Sequence, residues 1–221
     1  MPEHFEILGP NGSGKSLLER TVLQARLQLR RSRIVVLATK PDDSTIRGFG
    51  WPVIDRWPPP DERMRAMVFW ARSKGLGEEG RDKQRAKVLQ LLNGLWVPES
   101  NTVLSIDEVA YLVDELKLRN HIVTYHREGR ALGITIVDNS QRGQGLPRAI
   151  HSEAGWTAVF KPKDHDDAER LAEILGNKKQ FTPVLMGLNK AKYEFLLRRE
   201  LTGESYVSWI DKPPTQRSDN R

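Results

Sequence analysis

Short apolar runs alternate with amphipathic stretches along most of this chain. Residues His4 to Leu8 form an apolar-leaning run that stops at Gly9 and Pro10, which predicts a first strand. From Ser16 to Arg31 the residues Leu18, Val22, Ala25 and Leu29 recur at helical spacing, with Arg20, Arg26 and Arg30 on the other side. Arg33 to Ala38 is β-branched and short, as a buried parallel strand should be, and Trp51 to Asp55 is a weaker strand candidate. Pro58-Pro59-Pro60 interrupts regular structure, and Asp61 is placed to cap a helix reaching about Arg72. The Gly-rich, charged stretch from Ser73 to Asp82 reads as an exposed loop. A helix from about Lys83 to Leu95 carries Ala86, Leu89 and Leu92 on one stripe, and Thr102 to Ile106 is a further buried strand. A helix from Glu115 to Ala131, strands at Gly133–Val137 and Thr157–Lys161, and a helix from Asp164 to Leu175 follow. Tyr193–Leu197 and Ser205–Ile210 are spaced to pair as a late hairpin, and the Pro-rich polar stretch from Lys212 predicts a disordered tail. Strands alternating with helices imply an α/β fold with a mostly parallel central sheet flanked by helices. The expected organisation is one domain over residues 1–211 and a tail over 212–221.

One junction between strand and helix carries chemistry. Gly9-Pro-Asn-Gly-Ser-Gly-Lys-Ser16 matches G-x-x-x-x-G-K-[ST] in full, with a strand before it and an amphipathic helix after it. Phosphates are held by backbone N–H groups turned inward, and Gly9, Gly12 and Gly14 permit the tight turn this needs. The helix beginning near Lys15 adds its positive dipole end. This phosphate-binding loop marks a P-loop nucleoside triphosphatase. ATP is expected to contact Gly9, Pro10, Asn11, Gly12, Ser13, Gly14, Lys15, Ser16 and Leu17, with Lys15 bridging the β- and γ-phosphates and the Ser16 hydroxyl ligating Mg²⁺.

Thr102-Val-Leu-Ser-Ile-Asp107-Glu108 is an apolar strand that ends in two acids, the Walker B pattern. Asp107 is expected to hold Mg²⁺, directly or through water, and Glu108 to polarise the attacking water as general base. An adjacent Asp-Glu pair favours hydrolysis over transfer to a small acceptor.

A third block runs from Arg127 through Arg130, Gly133 and Gln141 to Arg142. Over about Phe5 to Leu175 the sequence resembles the FtsK/HerA superfamily of DNA-pumping ATPases, a RecA-like branch of the P-loop fold. There a helix ends in Arg, Gly opens a strand, and the strand ends in Gln beside Walker B; Arg130, Gly133 and Gln141 match these positions. Ser140 stands where the family commonly has Thr. The resemblance implies that Gln141 senses the γ-phosphate or orients the lytic water. It also implies that Arg130 is an arginine finger reaching a neighbouring subunit's site, with Arg127 and Arg142 as rivals. Compactness within the family points to a viral genome-packaging ATPase. The expected partners are double-stranded DNA, a homo-oligomeric ring (hexamer or pentamer), and capsid or membrane-vertex proteins. The expected location is the host cytoplasm and the virion.

Composition alters this picture little. The 35 Lys and Arg against 29 Asp and Glu give a net charge of +6, which suits a polyanionic partner. Cysteine is absent, which excludes disulfides and Cys-based zinc sites, and the five histidines show no ligand spacing. No apolar run approaches a membrane span, and MPEHFEIL does not read as a signal peptide. The six tryptophans read chiefly as packing residues. Asp42-Asp43 reads as a turn, and the Arg72–Arg81 segment as a solvated loop as readily as a DNA-facing one. Three other functions stay open: a nucleotide or small-molecule kinase, a secretion or pilus ATPase, and a non-catalytic assembly factor that uses ATP to hold a ring. No L-S-G-G-Q signature of an ATP-binding cassette is present.

Overall fold

The computed structural model describes residues 3–29, 32–40, 48–73, 75, 77–141, 143 and 145–211. The expected tail from Lys212, the Asp42-Asp43 turn, and Arg142 lie outside the described residues.

Nine strands join in one sheet: β1 (His4–Leu8), β2 (Arg33–Ala38), β3 (Val53–Ile54), β4 (Ala66–Trp70), β5 (Thr102–Ile106), β6 (Thr135–Ser140), β7 (Ala154–Phe160), β8 (Glu194–Arg199) and β9 (Ser205–Trp209). Their order is β3-β4-β2-β5-β6-β1-β7-β8-β9. The first seven in that order run parallel, and β8 and β9 add an antiparallel hairpin at one edge. The period-2 alternation of strand side chains divides the core between the two faces. Val35 and Leu37 point to the same side as Met67, Phe69, Leu104 and Ile136, where α2 (Gly77–Leu95) contributes Val88, Leu91 and Leu92. Ile34 and Val36 point to the opposite side, with Ile7, Val103 and Val137, against Leu18 and Leu23 of α1 (Lys15–Leu27). The remaining helices are α3 (Val109–Asp114), α4 (Arg119–Glu128), α5 (Arg148–Ser152), α6 (His165–Ile174) and α7 (Lys178–Gly187). Helices α6 and α7 close a third cluster over Leu8, Val159 and Leu196. Among the described residues no helix is long and apolar enough to cross a membrane.

Beneath the site edge, two carboxylates are buried side by side. Glu6 and Asp138 are register partners on the parallel strands β1 and β6, and they are 1% and 2% exposed. Such a pair is tolerable only with countercharges, and two imidazoles supply them. His151 Nδ1 lies 2.7 Å from Glu6 Oε1 and its Nε2 lies 3.2 Å from the Gly143 carbonyl oxygen. His126 Nε2 lies 2.5 Å from Asp138 Oδ2 and its Nδ1 lies 2.8 Å from the Ile122 carbonyl oxygen. Every ring nitrogen of these two histidines faces an oxygen, an arrangement that suits the imidazolium form. Burial alone would lower their pKa values, but Asp138 and Glu6 outweigh it and hold both above the usual value. His4 is the opposite case, because its Nδ1 accepts from the Ile136 N–H and its Nε2 donates to the His126 carbonyl. Burial and the neighbouring His126 push its pKa down to about 4, so it is neutral.

Several elements differ from expectation. Residues 61–72 are not a helix: Asp61 accepts from the Arg63 N–H at 2.9 Å and closes only a local turn, and Ala66–Trp70 is strand β4 between β3 and β2. An unbroken apolar run such as Ala66-Met-Val-Phe-Trp70 carries no period to separate strand from helix. The loop expected up to Asp82 instead becomes helix from Gly77, so α2 gains its first turn there, with Glu78 and Glu79 near the positive end. The single helix expected from Glu115 to Ala131 begins earlier and breaks at Lys117, which adopts φ 54°. Leu116 and Leu118 are both buried, and residues two apart in a continuous helix point to nearly opposite sides. Along α1, Leu18 is buried as the spacing predicts, but so are Glu19 and Leu23 while Ala25 is exposed, so the stripe is rotated; Leu29, 49% exposed, lies beyond the helix end at Leu27. Helix α7 was not anticipated: Pro183 lies inside it, although the Asn177 side chain caps it by accepting from the Gln180 N–H at 3.1 Å. The predicted late hairpin is present as β8 and β9.

Candidate active site

The C-terminal ends of the parallel strands share one edge of the sheet, and that edge collects the side chains singled out by the motifs. Leu8 ends β1, and the chain turns through Gly9, Gly12 and Gly14 at φ 151°, 71° and 109° into α1. At Gly14 a side chain is excluded twice over. The left-handed φ disfavours one, and a Cβ there would lie 2.9 Å from Tyr193 and 3.1 Å from Phe160. The Ser13 N–H donates to the Pro10 carbonyl, and the Leu17 and Leu18 N–H groups both donate to the Gly14 carbonyl, which closes the loop onto the helix. Lys15 Nζ donates to the carbonyls of Gly9 at 2.7 Å and Pro10 at 3.1 Å. Burial lowers the pKa of that ammonium, with the nearby Glu108 and Asp107 carboxylates acting against it.

Strand β5 lies two positions from β1 and delivers Asp107 and Glu108 to the same edge. Asp107 is 7% exposed and accepts from Lys40 Nζ, just beyond β2, at 2.5 Å. Glu108 is held from the end of β6: the Ser140 hydroxyl donates to Oε1 and the Gln141 amide to Oε2, both at 3.2 Å. Burial raises the pKa of the Glu108 carboxyl, and these two hydrogen bonds oppose the shift. His151 secures the segment beyond Gln141 through its contact with the Gly143 carbonyl.

Gly12, Gly14, Lys15, Ser16 and Leu17 line one cavity of about 370 Å³ together with Lys40, Asp107, Glu108, Gln141 and Tyr193. Asn11 also lines it, while Gly9 and Pro10 shape the turn beneath. Ser13 is 2% exposed and faces inward. The fold therefore brings the phosphate-loop residues, the acidic pair and Gln141 together. The hydroxyl of Ser16 and the carboxylate of Asp107 are hard oxygen donors on the same cavity and suit Mg²⁺. Among the described residues no group of three or more acidic or histidine side chains forms a protein-only cage.

Arg130 is not brought to this cavity. It lies in the 3₁₀ turn Gly129–Leu132 that precedes β6, whereas Gln141 follows β6. The two residues are thus separated by the length of the strand, roughly 20 Å for six residues. Arg130 Nη2 lies 3.4 Å from Glu153, which precedes β7 at that same far edge. Arg127, in the last turn of α4, is also on that side. Sequence reasoning missed two lining residues. Lys40 had a usable signal, because it follows a parallel strand at the edge where α/β sites form; Tyr193 had none locally.

The fold defined by this sheet order and loop is that of the P-loop ATPases. Among solved structures it is similar to the DNA-packaging ATPase B204 of Sulfolobus turreted icosahedral virus, at TM-score 0.68 and 16% identity over 95% of this chain and 98% of that one. VirB4 of Thermoanaerobacter pseudethanolicus superposes with TM-score 0.70 and 12% identity over 96% of this chain and 90% of that one. The cytoplasmic domain of the Thermomonospora curvata type VII secretion ATPase EccC gives TM-score 0.63 and 18% identity over 97% of this chain but 26% of that longer one. At such identities the likeness is one of fold, and it agrees with the FtsK/HerA resemblance of the motifs. No family model matches the sequence, and no curated protein matches it.

Proposed function

We propose that this chain hydrolyses ATP with Mg²⁺ and couples the hydrolysis to movement of double-stranded DNA, as a viral genome-packaging motor subunit. The observation that carries the hydrolytic part is the Glu108 carboxylate, held by Ser140 and Gln141 beside Asp107 and Lys15. In this reading the loop from Gly9 to Leu17 binds the phosphates, and Ser16 and Asp107 hold Mg²⁺. The ion would supply charge neutralisation for the β- and γ-phosphates. Lys15 stabilises charge that builds on the phosphates, Gln141 orients the attacking water, and Glu108 accepts its proton. The Lys40 ammonium on Asp107 must yield or shift when the ion binds.

For DNA as cargo, the support is the end-to-end match to B204, a DNA-packaging ATPase, and the net charge of +6. The VirB4 and EccC likenesses favour a second reading, a secretion ATPase. Stimulation of ATP turnover by double-stranded DNA tests between them, since only a DNA motor requires it.

Because Arg130 lies at the far edge of its own sheet, it can act as a finger only on another copy of the chain. Doping wild-type protein with Arg130→Ala subunits should therefore depress ATPase activity more steeply than the wild-type fraction falls. A linear decline would rule out a trans-acting role at this position.

The raised pKa of Glu108 gives a pH signature. As a base it must be ionised, so kcat/KM should fall as pH drops through that raised value, with the acid limb above an ordinary glutamate's range. Ser140→Ala removes a hydrogen bond that favours the carboxylate, so its limb should move to still higher pH. A pH–rate profile of both proteins checks the direction.

A further inference from the structure

We infer that Tyr193 is the platform on which the nucleobase of the bound nucleotide stacks, an inference that rests on the nucleotide-binding reading above. The sheet order fixes the direction in which a nucleotide would lie. With β1 and its phosphate loop at the centre, β6 and then β5 lie on one side, and β7 and then β8 on the other. Asp107 and Glu108 leave the end of β5, so the terminal phosphate belongs to that flank. The remainder of the nucleotide must extend toward β7 and β8. Strand β8 runs antiparallel to β7, with Phe195 opposite Phe160. Its first residues therefore arrive at the same edge as the phosphate loop, and Tyr193 is the residue just before it.

Tyr193 lines the same cavity as Gly12, Gly14, Lys15, Ser16 and Leu17. Its ring lies against the loop backbone, since a Cβ built on Gly14 would lie 2.9 Å from Tyr193 Cδ1. The backbone holds it at φ 50° and ψ 42°, a left-handed conformation unfavourable for an aromatic residue. A closed turn enforces that conformation. The Tyr193 N–H donates to the Lys190 carbonyl at 3.1 Å, and the Glu194 N–H to the Asn189 carbonyl at 3.2 Å. The Asn189 N–H donates to Glu194 Oε2 at 2.7 Å, and the Asn189 side chain accepts from the Ala191 N–H at 2.9 Å. Tyr193 packs in part against the core cluster that holds Phe160 and Phe195 and also lines the cavity, and a strained residue pinned at a cavity wall is where a binding role is sought. Its flat ring suits any base, because stacking uses the π-face and not the base edge.

Calorimetric titration of the full chain with ATP and with inorganic tripolyphosphate, both with Mg²⁺, tests this. Tyr193→Leu keeps an apolar side chain against Gly14 without the ring, and Tyr193→Phe keeps the ring. We expect Tyr193→Leu to weaken ATP binding by about tenfold or more. Its tripolyphosphate affinity should stay within about twofold of wild type, and Tyr193→Phe should match wild type for both ligands. Equal weakening of both ligands in Tyr193→Leu would make Tyr193 a prop for the phosphate loop and overturn the inference. Unchanged ATP affinity in that variant would overturn it too. If the wild type bound neither ligand, the nucleotide reading itself would fall.

Discussion

Glu108→Gln should lower the rate of ATP hydrolysis by roughly 10²- to 10⁴-fold, the usual contribution of a positioned general base, while ATP still binds. The substitution is nearly isosteric, and the neutral amide retains an oxygen that can accept from the Ser140 hydroxyl or the Gln141 amide, which now donate to the carboxylate. What it would lose, on the proposed mechanism, is the group that takes the proton from water. Loss of the carboxylate charge near the phosphates also relieves repulsion, so ATP affinity should be unchanged or tighter. Single-turnover hydrolysis and equilibrium binding, measured on the same preparation, separate the two effects. A variant that hydrolyses ATP like the wild type would remove Glu108 from the mechanism.

Lys15→Ala should weaken binding and sharply reduce turnover. The Lys15 ammonium sits within the loop that would wrap the phosphates, and its pKa is lowered by burial, so little water competes for it. Losing one or two charge-assisted hydrogen bonds to phosphate should weaken ATP binding by about 10- to 100-fold. Losing a positive charge where negative charge develops should lower the residual rate by a further 10²-fold or more. The contrast between the variants is informative: Glu108→Gln keeps binding and loses turnover, whereas Lys15→Ala is impaired in both. A non-catalytic assembly factor would show no turnover in the wild type either, leaving nothing for Glu108→Gln to remove.

How much of this was legible beforehand depended on whether the information was local. The phosphate loop is eight consecutive residues whose glycines have one backbone reason to be there, and Asp107-Glu108 ends a run buried on both faces. Both could be read directly, as could the parallel α/β architecture they imply. The grip of Ser140 and Gln141 on Glu108 was only half visible, because it depends on β6 lying next to β5. Lys40 was marked only by its place just after a parallel strand, and Tyr193 was invisible as a site residue, since sheet order alone carries it to the cavity. The same holds for Glu6, Asp138, His126 and His151, which are far apart in sequence and meet only through the β1–β6 register. Where elements were misread, as at Ala66–Trp70 and Lys117, tertiary burial decided between local options that the sequence leaves nearly balanced.

Because the motor reading joins the hydrolytic site to DNA as cargo, its most direct test is the steady-state ATPase rate of the purified chain across a titration of double-stranded DNA, with Glu108→Gln alongside. The account predicts that DNA raises the wild-type rate, that added salt weakens the stimulation as phosphate contacts are screened, and that the variant stays near zero throughout. A wild-type rate that is absent with DNA present, or indistinguishable from that of Glu108→Gln, would contradict it.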